Sequence, residues 1–95
     1  MDTFGSATNT SITVTTSSTL VLALNPNRAY VAICNDSDAT VYLAFAASAS
    51  LNSGIRLASG QAFEIVNALN PYIGPIYAIT STGSKVLTLT HATFV

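Results

Sequence analysis

The chain has 95 residues, a net charge of -1, and charged side chains at only 7% of positions against 49% hydrophobic ones. One domain fits that length, and three basic residues, Arg28, Arg56 and Lys85, are too few to track a phosphate backbone or an anionic membrane. A single cysteine, Cys34, excludes an internal disulfide and a cysteine-based zinc site.

The first stretch, residues 1–10, is polar and without periodicity. It is read as an extended arm, ordered when a neighbour holds it, and residues 11–95 as one β domain. It lacks a basic n-region and an apolar h-region, so no secretory signal is expected.

From there the pattern is short β-branched and aromatic runs separated by turn residues, the signature of an all-β chain. Ser11–Thr16 alternates, with Ile12 and Val14 on one side. Thr19–Leu24 puts Leu20, Leu22 and Leu24 on one side, and "NPNR" turns the chain. Ala29–Asn35 and Thr40–Phe45 are strands, the second with Val41, Leu43 and Phe45 on one face. "AASASLNSG" is a small-residue loop with room for a helical turn, and "GIRL" is a short strand. "AFEIV" turns Phe63 and Ile65 inward and Glu64 outward. After the irregular "NALNPYIGP", the strands "IYAITS" and "KVLTLTHATFV" are joined by "TGS" as a tight hairpin. These make about eight strands, expected to form an antiparallel β-sandwich or jelly roll, or a small barrel.

Several strands are apolar on both faces. In "AYVAIC", Val31 and Ile33 oppose Tyr30, Ala32 and Cys34; in "IYAI", Ile76 and Ala78 oppose Tyr77 and Ile79. An antiparallel sandwich strand ordinarily keeps one wet face, so the expected cover of the second face is another protein chain.

No candidate for chemistry survives inspection. Asn35-Asp36-Ser37-Asp38 offers oxygen ligands, but counting from Asp36 puts Val41 where a calcium loop needs Gly and Ala47 where it needs Glu. It reads as a hairpin turn. His91 has no partner ligand, no G-x-S-x-G elbow is present, and Glu64 is the sole glutamate. No catalytic residue, metal or cofactor is therefore assigned, and Cys34 is read as a small buried hydrophobe. With so few charges, Arg28 is expected to pair with Asp36 or Asp38 across the hairpin, or with a carboxylate of a neighbouring subunit. Arg56 is expected to pair with Glu64. Together with Tyr30, Tyr42, Tyr72 and Tyr77, which combine large area with a polar tip, they are the candidate interface residues.

The order "NPNRAYVAICNDSDATVYLAF", "SGIRLASGQAFEI" and "IYAI" ahead of a terminal strand resembles small all-β virion structural proteins of tailed bacteriophages, over about residues 12–90. The resemblance implies a non-enzymatic subunit, of the head decoration (cement) kind. It would form a homotrimer bound to the major capsid protein on the capsid exterior, and would be made in the host cytoplasm. It brings no functional residue set. Two other readings compete: a receptor- or carbohydrate-binding module of a fibre, tail or neck, which the absence of Trp disfavours, and an outer-membrane barrel, for which the strands are too short.

Overall fold

The computed structural model describes residues 7–66, 69 and 71–94. They form eight strands: β1 (Thr8–Val14), β2 (Thr19–Leu22), β3 (Arg28–Asn35), β4 (Val41–Ala44), β5 (Ile55–Leu57), β6 (Ala62–Val66), β7 (Ile76–Thr80) and β8 (Lys85–Thr93). No helix occurs among the described residues. The strands make two four-stranded antiparallel sheets, in the orders β1-β8-β3-β6 and β2-β7-β4-β5.

The core lies between the sheets. Val14, Val31, Ile33, Ile65, Leu87 and Leu89 come from the first sheet, and Val21, Val41, Leu43, Leu57, Ile76 and Ala78 from the second. These are the inward members of the alternating runs: along β3, Val31 and Ile33 are buried while Tyr30, Ala32 and Cys34 are half-buried on the outer side. The parity expected for β4, β6 and β7 is likewise present, with Val41, Leu43, Ile65, Ile76 and Ala78 inside.

Four expectations are corrected. The first concerns connections: "NDSD" and "TGS" are turns, but neither makes a hairpin, because β3 and β4 lie in different sheets, as do β7 and β8. Of the seven connections, six cross between sheets, and only β4 and β5 are joined as sequence neighbours within one. Second, the leucine face of β2 does not exist. A register shift between Leu20 and Leu22 breaks the period of two, as a bulge does. Val21 enters the core, Leu22 packs partly against it, and Leu20 stays exposed. Third, Thr8, Asn9 and Thr10 belong to β1, paired with His91, Thr90 and Leu89, so the last residues assigned to the arm lie in the sheet. Residues 1–6 of that arm lie outside the described residues. Fourth, Cys34 is half-buried rather than buried, because it faces outward between Thr88 and Ala62.

The loop 45–54 contains bends and a turn but no helical turn. It leaves β4 and enters β5 at the same end of the sheet, yet its midpoint, Ala49, donates its backbone N–H to Ser18 Oγ at 2.8 Å, next to the start of β2 at the other end. The loop therefore crosses the outer face of its own sheet. Tyr42 on that face donates its hydroxyl to Asn52 Oδ1 at 3.0 Å, and Ile79 is only 9% exposed. Part of the cover expected from another chain is thus supplied by this chain itself. Gly54 closes the loop at φ +87°, where a Cβ would stand 2.2 Å from the Leu43 carbonyl oxygen. No other residue fits that turn.

Candidate interaction surface

The two ends of the sandwich carry different groups. One end gathers the connections 15–18, 36–40, 58–61 and 81–84, and Asn35 organises it. Asn35 shares its face with Val31 and Ile33 and is fully buried. Its Nδ2 donates to the carbonyls of Ala39 at 2.6 Å and Leu57 at 2.9 Å, and its Oδ1 accepts from Ser37 Oγ at 2.6 Å. Its backbone bonds Gln61 and Gly60 across the β5–β6 turn. Beside it, buried Thr80 donates to the Thr40 carbonyl at 2.9 Å. The Asn35 and Ser37 side chains of this stretch thus bond within the turn and to the Leu57 carbonyl.

Asp38 points outward and pairs with Lys85 at 2.7 Å, which holds its carboxyl below the usual carboxylate value. This pairing replaces the one expected for Arg28.

At the opposite end lie the connections 23–27 and 67–75, with the start of β1 and the end of β8. Asn25 begins the first connection, accepting the Asn27 N–H on its side chain and the Arg28 N–H on its carbonyl, a self-bonded turn typical of Asn before Pro. It also donates its own N–H to the Ile73 carbonyl at 2.8 Å, tying the two connections together. Tyr72 stacks on Phe45, centroids 4.7 Å apart, and Phe45 meets Phe63 edge to face at 5.6 Å. The Tyr72 hydroxyl donates to the Pro75 carbonyl.

Arg28 is buried under this end. Its Nη1 donates to the carbonyls of Tyr72 and Gly74, both at 3.0 Å, and its Nη2 to that of Ala23 at 2.9 Å. Neither Asp36 nor Asp38 is its partner, since both lie at the far end. Burial pushes its pKa below the ordinary value.

Outward, this end exposes large apolar side chains beside uncharged polar ones such as Asn9, Asn27 and Thr93. Leu24 is 62% exposed, Leu69 81% and Ile73 40%. The described residues of the two connections and residues 91–94 include no Lys, Arg, Asp or Glu; the nearest charge in sequence is Arg28, the first residue of β3. A half-open cleft of about 210 Å³ lies there, lined by Leu22, Leu24, Asn25, Arg28, His91 and Ala92 among others.

The six candidate interface residues do not form one patch. Arg28 and Tyr72 meet at the apolar end. Tyr42, Arg56 and Tyr77 share the β2-β7-β4-β5 sheet, with Arg56 opposite Tyr42 and Tyr77 between Leu20 and Ala44. Tyr30 stands on the other sheet, its hydroxyl donated to Glu64, which raises the phenol's pKa. Arg56 and Glu64 sit on different sheets, and no ion pair joins them. Sequence reasoning missed Leu24, Leu69 and Ile73. Their signal was present, since each is a large apolar residue beside or inside an Asn/Pro connection.

No family model, curated protein or solved structure matches this chain.

Proposed function

We propose that this chain is a non-enzymatic structural subunit of a tailed-phage virion, a decoration protein that associates as a homotrimer and binds the major capsid protein on the head exterior. The observation that carries this reading is the apolar end: Leu24, Leu69 and Ile73 exposed together beside the 23–27 and 67–75 connections, with no exposed charge among the described residues there. Large apolar side chains left exposed at one end of a domain are what a protein contact would cover. An interface of ordinary size, roughly 800 Å² per partner, would cover about a sixth of the 5044 Å² surface. Apolar area removed there contributes about 25 cal/mol per Å² before the cost of association.

The strand order supports the same reading. We take 1-8-3-6 over 2-7-4-5 as a jelly roll, an architecture used by viral capsid domains among others. The resemblance of the "NPNRAYVAICNDSDATVYLAF" region to phage virion proteins points the same way. Quantitative mass spectrometry of purified virions tests the proposal. A copy number of the same order as the coat protein is expected; absence from the particle overturns it, and a handful of copies moves the protein to the neck or tail.

A further inference from the structure

Arg28 carries a charge that no described group answers. Its side chain is 4% exposed, and a guanidinium has five N–H donors. Three are given to the carbonyls of Ala23, Tyr72 and Gly74, which are neutral. Asp38 is engaged by Lys85 at the far end, and Glu64 by Tyr30 on an outer face. Nε makes no hydrogen bond to a described residue, and no described side-chain nitrogen sealed from solvent lacks a partner. Nε is therefore not sealed from solvent, and Arg28 lines the cleft. His91 lines the same cleft and brings a ring N–H, while Leu22, Leu24 and Ala92 make apolar walls. A buried cation without a counter-charge is costly, and a charge-assisted bond to an anion relieves that cost.

We propose that this cleft receives the carboxylate of an acidic side chain from a partner subunit, held by Arg28. The carboxylate accepts from Nε–H and from His91, and its methylene stem packs on Leu24 and Ala92. The choice of a partner subunit as the source rests on the assembly reading above; the carboxylate chemistry does not. The lining favours a carboxylate over a phosphate, since it offers one guanidinium and apolar walls rather than a basic cluster.

Sodium butyrate serves as the probe, with butyramide in sodium chloride as the neutral control at matched ionic strength. Nitrogen–proton NMR of the full chain is expected to show a saturable butyrate shift at Arg28 Nε–H and at the Leu24 and Ala92 amides, with half-saturation on the order of millimolar. No shift, or the same shift with butyramide, overturns the proposal. Leu24→Glu places a tethered carboxylate at the rim without touching the buried core. It should weaken the butyrate response about tenfold while Leu24→Gln preserves it; an unchanged response in Leu24→Glu contradicts the site. The source is read separately: excess butyrate, and not butyramide, should dissociate the assembled protein. Binding without dissociation would keep the carboxylate site and remove the partner from it, whereas a chain that never assembles would defeat the assembly reading alone.

Discussion

At the end organised by Asn35, polar groups turn inward and are answered. Asn35 and Thr80 are fully buried and hydrogen-bonded, and the charged pair Asp38–Lys85 sits outside. At the end built on Arg28 the arrangement is reversed: the charge is inside, bonded to neutral carbonyls, and Leu24, Leu69 and Ile73 are outside. Among the described residues, only the first end leaves charged side chains on its surface. The difference teaches that thrift with charge is not spread evenly over this chain. Among the described residues it is concentrated at the Arg28 end.

The comparison can be broken at the polar end first. Asn35→Ala takes the Asn35 donor from the Leu57 carbonyl in a buried site and leaves the Ala39 carbonyl with Ser37 Oγ alone of its two side-chain donors, and a cost of about 3 kcal/mol in urea unfolding is expected. Assembly of the folded fraction should be unchanged. Gly54→Ala forces a Cβ against the Leu43 carbonyl at positive φ, with an expected loss of about 2 kcal/mol. The 45–54 crossing should loosen with it, read as faster hydrogen exchange at the Ala49 amide.

Substitution at the apolar end should separate the two properties. Leu24→Ser with Leu69→Ser is expected to shift stability by less than about 0.5 kcal/mol and to weaken association about tenfold. Equal loss of both would show that these leucines serve the fold. The smallest effect belongs to Asp38. Its folded carboxyl is held below the ordinary value of 3.8, so its contribution is complete above that value and is lost as pH falls through the folded one. Because the pair is exposed, Asp38→Asn should flatten only slightly the acid limb of a melting-temperature profile.

The individual strands were legible in the sequence. Alternation in "AYVAIC", "VYLAF" and "AFEIV" gave the inward residues of β3, β4 and β6, because a half-buried strand must place every second side chain in the core. What was not legible was which strand pairs with which. The five-residue connection 36–40 has the length of a hairpin loop whether it joins neighbours in one sheet or crosses to the other, and the choice is made by the distant pairings of β8 with β1 and β3. The bulge in β2 was hidden for a similar reason, since Leu20, Leu22 and Leu24 keep a perfect period in sequence that the register shift discards. Asn35 could have been placed: it shares parity with Val31 and Ile33, and a polar residue at that position implies a buried, saturated amide. Arg28 could not, because two of its three partner carbonyls belong to residues forty-odd positions away.

Sedimentation equilibrium of the purified chain, alone and with purified phage heads, tests the central claim most directly. The account predicts a mass near three times 9.8 kDa in the free protein and co-sedimentation with heads, both diminished by Leu24→Ser with Leu69→Ser. A lone 9.8-kDa species at every concentration, which also leaves the heads untouched, would contradict it.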